Sequence, residues 1–217
     1  MASQVIYGKQ PVAEAERGRR SVLRIWRAPE TSDAELEQLC GSPDHQGVVA
    51  EVEPYPYAGA SELLRVEGAL LVALDQVQDP RNLGAVARSA EAAGATGLII
   101  PERRSAGVTA VACKASAGAV EHLPIAHARN LADWLGEAKE AGFWIWGADA
   151  DAKQAPWQID LSGPTVLVLG GEGKGLRPRV ASTCDGLVAL PQRGKIDSLN
   201  VSAAATALLF EAVRQRA

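Results

Sequence analysis

The amino-acid sequence predicts an α/β protein built mainly on a parallel β-sheet. From about residue 69 to the C-terminus, short and strongly apolar segments alternate with segments of helical periodicity. This alternation is typical of parallel strands whose connecting helices cover both faces of the sheet. Four glycines occupy six positions directly after one of the apolar segments, at 170–175. Such a loop lets the backbone approach a ligand closely.

The larger part of the chain is predicted to contain five strands, over 69–74, 97–100, 143–147, 165–169 and 187–190. The predicted helices lie over 82–93, 108–116, 131–140 and 201–214. Ligands of open parallel sheets usually bind beyond the carboxyl ends of the strands. We therefore expect the functional site in three loops, over 75–81, 170–175 and 191–200.

A smaller α/β unit precedes this region. Its predicted elements are a helix over 11–18, a strand over 21–28, a helix from a capping-box sequence at 31–35 to about residue 41, and a strand over 47–52. Two prolines and a glycine between 54 and 60 indicate an extended linker. The predicted organisation is a small domain over 1–53, a linker over 54–68 and a larger domain over 69–217.

Composition limits the class of protein. The chain has 217 residues, of which 47% are hydrophobic, and it contains no run of eighteen apolar residues. Its N-terminus lacks a basic segment followed by an apolar one, so we expect a cytoplasmic protein without membrane contact. The three cysteines are far apart, and neither they nor the three histidines show zinc-ligand spacing. We expect free thiols and no metal.

Charge is distributed unevenly along the chain. The first 27 residues carry six basic and two acidic side chains, a net charge of +4, which leaves −8 for the rest of a chain whose total is −4. A local basic patch can contact nucleic-acid phosphates, because exposed charges act over roughly 10 Å. Ordinary solvated surface fits the same composition. The basic residues are Lys9, Arg17, Arg19, Arg20, Arg24 and Arg27.

The helix predicted over 82–93 has one apolar face, formed by Leu83, Val86, Ala87, Ala90 and Ala93. Arg81 and Arg88 lie outside that face. Seven residues at about 100° each bring them within about 20° of one another around the helix axis, so both could hold one phosphate. Alternatively, Asn82 is the N-cap after Asp79-Pro80, and the arginines are only solvated.

The glycine loop does not match the common phosphate-binding motifs. A P-loop needs Ser or Thr after its Gly-Lys, whereas Gly175 follows Gly173-Lys174. The spacing also departs from the Gly-x-Gly-x-x-Gly dinucleotide fingerprint. Further along, Ser198 or Asn200 can cap the last helix, whose alanines give it a thin waist suited to being surrounded by other elements.

Taken together, three motifs resemble those of the SpoU-type members of the SPOUT superfamily, which are S-adenosylmethionine-dependent RNA ribose 2′-O-methyltransferases. The motifs are Asn82-x5-Arg88-x5-Gly94, the segment 169–175, and Leu190-Pro191 with the segment 198–202. The resemblance covers essentially all of 69–217.

The resemblance implies a parallel sheet with a C-terminal trefoil knot, and a methyl donor, S-adenosylmethionine, bent within the knot. It implies cofactor binding by Gly170, Gly171, Leu190, Pro191, Ser198, Leu199 and Asn200. It also implies that Arg88 positions the target phosphate and assists loss of the hydroxyl proton, while Asn82, Glu172, Ser198 and Asn200 order the pocket. Because arginine is almost never neutral, orientation and electrostatic stabilisation are favoured over simple proton abstraction.

A second resemblance joins the small unit to the RNA-binding domain of bacterial 23S ribosomal RNA guanosine-2′-O-methyltransferases. It rests on 6–8, 11–15 and 45–50. Near 41–45 relatives have roughly twenty more residues, so either the domain is shortened here or a disordered segment is absent from this sequence. This likeness implies that the basic residues of the unit contact ribosomal RNA. Arg81 joins them as a predicted RNA contact because of its place on the helix beside Arg88. The SPOUT resemblance implies a homodimer through the knotted domains. Two alternatives stay open: methylation of tRNA or of the thiostrepton-site loop of 23S RNA, and a non-catalytic RNA-binding protein.

Overall fold

The computed structural model describes residues 3–171, 173, 175–195 and 198–217. A three-stranded antiparallel sheet forms the N-terminal part, with strand order β1-β3-β2. The elements of this part are β1 (Gln4–Tyr7), α1 (Lys9–Ala15), β2 (Val22–Arg27), α2 (Asp33–Cys40) and β3 (Val48–Val52). The capping box predicted at the start of α2 is confirmed, because Ser32 and Glu35 satisfy each other's backbone donors.

A six-stranded sheet forms the larger part, and all its strand pairs are parallel, which confirms the predicted fold class. Its strand order is β6-β5-β4-β8-β7-β9. The strands are β4 (Leu70–Asp75), β5 (Gly97–Pro101), β6 (Ile125–Ala128), β7 (Trp144–Ala148), β8 (Thr165–Gly170) and β9 (Gly186–Val188). The helices are α3 (Pro80–Ala92), α4 (Ala110–Ala115), α5 (Leu131–Glu140), α6 (Pro178–Thr183) and α7 (Val201–Arg216).

Three short elements, β1, β6 and α6, were not predicted. Each has only four to six residues, too few for a clear period. All of the strands and helices that were predicted are present, and their ends are shifted by at most about three residues. Among the described residues, no helix is both long and apolar enough to cross a lipid bilayer.

Helix α3 begins two residues before the predicted start. Asp79 is its N-cap and accepts a hydrogen bond from the Arg81 backbone N–H at 2.8 Å, with Pro80 at the first helical position. The prediction of Asn82 as N-cap is therefore wrong. Asp79, three residues earlier, already supplies the acceptor side chain that an N-cap needs, and proline follows it at the position where helices tolerate it. As predicted, the apolar face is turned to the core, while Arg81 and Arg88 are exposed.

The segment predicted as a linker is packed against the larger sheet. Tyr55 is buried, and its hydroxyl lies 2.9 Å from the carbonyl oxygen of Leu123. Ala58 forms a parallel bridge with Ala126 of β6. Buried side chains of both sheets, such as Val48 and Val72, belong to one continuous hydrophobic cluster. The two sheets therefore share a core rather than being joined by a free tether.

A buried ion pair connects the two parts of the chain. Arg20 donates from Nε and Nη2 to the two carboxylate oxygens of Glu121, at 2.9 and 2.6 Å, and both side chains are 1% exposed. Burial, the largest single influence, lowers the pKa of Arg20, but the hydrogen bonds and charge interactions with Glu121 and Cys113 together raise it above its ordinary value. Burial also raises the pKa of the neighbouring Cys113 thiol to about 12, so this thiol stays protonated. The prediction that Arg20 contacts RNA is wrong, because its guanidinium is buried and hydrogen-bonded to Glu121.

We predict that Arg20→Ala lowers the free energy of unfolding by about 3–5 kcal/mol, because it leaves the Glu121 carboxylate buried without its charged partner. Urea unfolding followed by circular dichroism measures the change. Arg17→Ala is the matched control: Arg17 is 72% exposed and 3.6 Å from Glu14, and the loss of such a pair costs less than about 1 kcal/mol. Equal losses in the two variants would contradict the structural role of Arg20.

Candidate active site

A cavity of about 580 Å³ lies beyond the carboxyl ends of β7, β8 and β9. This volume is within the range of small-molecule sites. Its wall comes from the glycine-rich loop after β8, the loops after β7 and β9, and the first two turns of α7. The lining residues are Ala148, Asp149, Ala150, Asp151, Leu169, Gly170, Gly171, Gly173, Gly175, Val188, Leu190, Gln192, Ser198, Leu199, Val201, Ala204 and Leu208.

Most of the predicted cofactor-binding residues meet at this cavity. Those that line it are Gly170, Gly171, Leu190, Ser198 and Leu199. Pro191 instead lines an adjoining cavity of about 500 Å³, and Asn200 is the N-cap of α7. Glu172, predicted to order the pocket, lies outside the described residues.

The loop over 148–151 also lines the cavity but was missed in the sequence. It follows β7, so the rule that singled out the other loops applies to it equally. Its carboxylates, Asp149 and Asp151, place negative charge on the wall. Within the described part of the chain, no cluster of three or more potential metal ligands occurs.

Glycine is required where the loop after β8 folds back on itself. A Cβ atom on Gly170 would lie 2.2 Å from the carbonyl carbon and oxygen of Gly175. One on Gly171 would lie 2.6 Å from the backbone oxygen of Gln76. Real Cβ atoms do not approach backbone so closely, so a side chain at either position displaces the cavity wall.

A buried carboxylate fixes the same loop to the end of β4. Asp75 is fully buried, and its carboxylate accepts hydrogen bonds from the Arg177 backbone N–H at 2.8 Å and from Arg177 Nε at 2.7 Å. The Asp75 backbone oxygen accepts a third bond, from the Gly171 N–H at 2.9 Å. Both ends of the glycine loop are therefore held by one residue, which sequence reasoning did not single out.

Two predicted catalytic residues, Asn82 and Asn200, are in direct contact. Asn200 Nδ2 donates to Asn82 Oδ1 at 3.0 Å, and Asn200 Oδ1 accepts from the Ser202 backbone N–H at 2.8 Å. One side chain thus caps α7 and joins it to the first turn of α3. Further along the same helix pair, Ser89 and Thr206 form a hydroxyl contact of 2.6 Å.

Arg88 lies six residues after Asn82, about 9 Å further along α3 at 1.5 Å per residue. Its side chain is exposed and forms no hydrogen bond or ion pair with any residue that the structure describes. A guanidinium without a carboxylate partner is available to an anionic ligand. Arg81 is similarly exposed on the same side of the helix.

The predicted RNA-binding residues of the small domain have different environments. Lys9, Arg17, Arg19, Arg24 and Arg27 are exposed, in contrast to Arg20. Several nevertheless have partners: Arg19 donates to the Tyr55 hydroxyl, and Arg24 stacks over the Trp26 ring at 4.8 Å. Their positively charged groups still reach the surface.

Two known family profiles match the chain. The sequence profile of the SpoU rRNA Methylase family matches residues 69–210. A second profile, described as RNA 2′-O ribose methyltransferase substrate binding, matches residues 27–58. The first covers most of the parallel-sheet domain, and the second runs from the end of β2 to the packed segment after β3.

Individual proteins agree with the profiles. The chain is 38% identical to the putative TrmH family tRNA/rRNA methyltransferase YacO of Bacillus subtilis, over 97% of this chain and 95% of that protein. It is 46% identical to an uncharacterized tRNA/rRNA methyltransferase of Mycolicibacterium vanbaalenii, over 84% of this chain but only 60% of the relative. The alignment with YacO extends over 237 positions, more than the 217 residues of this chain, so YacO has additional residues. Their placement near 41–45 stays a prediction.

Among solved structures, the SpoU methyltransferase AviRb from Streptomyces viridochromogenes, in complex with AdoMet, has a TM-score of 0.82 with this chain. The two are 29% identical, and the match covers 99% of this chain and 90% of AviRb. The parallel sheet and the loop-lined cavity define an α/β domain of the RNA-methyltransferase class. The chain belongs to the SpoU rRNA methylase family.

We predict that Gly170→Ala weakens the binding of S-adenosylmethionine, the ligand of AviRb, by at least about tenfold, because the new methyl group displaces the Gly175 backbone, which lines the cavity. Isothermal calorimetry measures the affinity. Gly136→Ala is the matched control, since a Cβ there meets nothing within 4 Å and alanine favours the helix. Wild-type affinity in Gly170→Ala would contradict the assignment of this cavity.

Proposed function

We propose that the chain transfers the methyl group of S-adenosylmethionine to a ribose 2′-hydroxyl of RNA. The observation that carries the proposal is the contact between Asn82 and Asn200. It joins α3, which bears the exposed guanidinium of Arg88, to the wall of the glycine-lined cavity. A pocket for a small molecule and a group suited to phosphate therefore belong to one site. Membership of the SpoU family and the AdoMet complex of AviRb support the same activity.

The cavity has the chemical character that the cofactor requires. Apolar side chains such as Val188 and Leu208 suit an adenine ring, and the glycine backbone lets the wall approach closely without side chains. The carboxylates of Asp149 and Asp151 favour a positively charged ligand. When bound, S-adenosylmethionine supplies a methyl group activated by its sulfonium charge.

Arg88 is assigned to the RNA side of the reaction. A 2′-hydroxyl is a poor nucleophile, and negative charge develops on its oxygen as its proton passes to a nearby base or phosphate oxygen. The Arg88 guanidinium stays charged at physiological pH, so it holds the target phosphate and stabilises this charge without acting as the base. Asn82, Asn200, Ser198 and Glu172 are proposed to order the pocket around the ribose.

We predict that Arg88→Ala lowers kcat for RNA methylation by roughly 100-fold or more, in the range of losing one oxyanion-stabilising group. Binding of S-adenosylmethionine, measured by calorimetry, should stay within about twofold of wild type, because Arg88 does not line the cavity. Transfer of radioactive methyl groups to RNA measures kcat, with the distant exposed Arg65→Ala as control. Turnover close to wild type in Arg88→Ala would show that Arg88 has no role in methyl transfer.

The proposed substrate is a guanosine of 23S ribosomal RNA. The likeness of the small domain to that of guanosine-2′-O-methyltransferases supports it, as does the match of 27–58 to a substrate-binding profile. The exposed basic residues of the small domain and Arg81 are proposed to contact the RNA backbone, which positions RNA without specifying its sequence.

Mapping of 2′-O-methyl groups in 23S RNA and tRNA, from cells with and without the gene, identifies the substrate. We expect one guanosine of 23S RNA to lose its methyl group in the deletion strain and regain it on complementation. Loss at a tRNA position, or in the thiostrepton-site loop, would instead establish one of the alternative substrates. A full set of methyl groups, together with no binding of S-adenosylmethionine, would favour the non-catalytic RNA-binding alternative.

Two further features of the family are proposed for this chain. The first is the C-terminal trefoil knot: β9 lies at the sheet edge beyond β7, yet α7 returns to pack against α3, which follows the central strand β4. The second is a homodimer. Three large apolar side chains, of Trp144, Trp157 and Phe210, are exposed, and such side chains favour contact with another protein surface.

A further inference from the structure

A third cavity, of about 390 Å³, lies beyond the carboxyl ends of β4, β5 and β6. We call it the arginine cavity, because five of its lining residues are Arg103, Arg104, Arg129, Arg177 and Arg179. The other described residues that line it are apolar or carry neutral amides, and none is acidic. Neither the sequence motifs nor the proposed reaction assigns a role to it.

Three of these arginines have no counter-charge within the described part of the chain. Arg177 is paired with Asp75, and Arg179 with Asp133. Arg103, Arg104 and Arg129 are exposed and make no hydrogen bond or ion pair with a described residue. Like charges that converge on one concave surface repel each other unless an anion is bound, and concave walls focus their field.

The backbone around the arginine cavity is held in unusual conformations. Arg104 has φ 59° and Gln76 has φ 63°, two of the four positive φ angles among the described non-glycine residues. Backbone strain of this kind persists where the surrounding structure imposes it, often at ligand sites. In addition, Asn130, Leu131 and Ala132 line the cavity at the N-terminus of α5, where the helix dipole favours negative charge.

The arginine cavity shares a wall with the candidate active site. Gln76 lines the arginine cavity. Its backbone oxygen lies against Gly171, which lines the glycine-lined cavity proposed to bind S-adenosylmethionine. Asp75 connects Gly171 to Arg177, which lines the arginine cavity. The two cavities therefore occupy neighbouring halves of the carboxyl edge of the sheet, divided at β4 and β8.

We propose that the arginine cavity binds consecutive phosphodiester groups of the substrate RNA, beyond the nucleotide that Arg88 holds. The inference rests on the proposed function for the identity of the anion. Guanidinium forks suit phosphate oxygens, and three of them that form no ion pair with a described residue, around one open cavity, suit a strand that passes through it. RNA is the polyanion that the family acts on, and contacts of this type fix its register.

The test compares the triple variant Arg103→Ala/Arg104→Ala/Arg129→Ala with Arg65→Ala. Arg65 is an exposed arginine in the 3-10 turn 63–65, whose Leu63 packs against Gly97 at the opposite, amino end of β5. The probe is fluorescently labelled 23S RNA transcript, with a tRNA transcript as a second arm, and fluorescence anisotropy measures Kd between 50 and about 200 mM salt.

We expect the triple variant to bind RNA at least about tenfold more weakly than wild type. The slope of log K against log salt should fall in magnitude by about 2, because each lost phosphate contact removes roughly 0.7 for single-stranded RNA. In methyl transfer, KM for RNA should rise while kcat at saturating RNA and affinity for S-adenosylmethionine stay at wild-type values. Arg65→Ala should leave all five quantities unchanged.

An affinity and a salt slope equal to those of Arg65→Ala would overturn the proposal, as would tight binding of inorganic phosphate with no effect on RNA. If the triple alanine variant folds poorly, two variants replace it. One is the single variant Arg129→Ala, and the other is the triple variant Arg103→Lys/Arg104→Lys/Arg129→Lys, called here the lysine variant. The lysine variant should keep the salt slope but bind more weakly, because lysine lacks the planar fork.

The outcomes separate this inference from the proposed function. Weakened RNA binding in a protein that transfers no methyl group would support the arginine cavity and reject the enzyme. Normal methyl transfer with unchanged KM in the triple variant would reject the arginine cavity and leave the enzyme in place.

Discussion

The buried carboxylate of Asp75 is the interaction on which the functional end of the molecule depends. A carboxylate without solvent is costly unless hydrogen bonds compensate it, and Asp75 obtains two of them from Arg177. Its backbone oxygen also holds Gly171. The end of β4 thus determines where the loop after β8 begins and ends. Both cavities at the carboxyl edge receive part of their wall from this single arrangement.

The sequence allowed most of the fold to be predicted, because long helices and fully buried strands leave periodic signals. Helix α3 shows its apolar face in every turn, and β8 is a continuous apolar run before glycines. Strand β6 was missed since its four residues, Ile-Ala-His-Ala, include His127 and show neither period. Helix α6 was missed because it has six residues and follows directly on the glycine loop.

The candidate site was predictable only as far as local patterns reach. Gly170 and Asn200 belong to recognisable motifs, whereas the pairing of Asp75 with Arg177 spans 102 residues and leaves no local trace. Arg20 illustrates the opposite error. Counting charges along the first 27 residues assigned it to the surface, but its partner Glu121, 101 residues away, draws it into the core. Long-range partners of charged side chains are what composition cannot supply.

The shared core of the two sheets has a mechanical consequence. Tyr55 and the pair of Arg20 with Glu121 hold the small sheet against the large one, and these buried contacts oppose a hinge movement between them. Under the proposed function, the distance from the basic surface of the small domain to the cavity for S-adenosylmethionine therefore changes little when RNA binds. Any distortion needed for fit then falls on the RNA, so a nucleic acid already folded to that span binds at least cost.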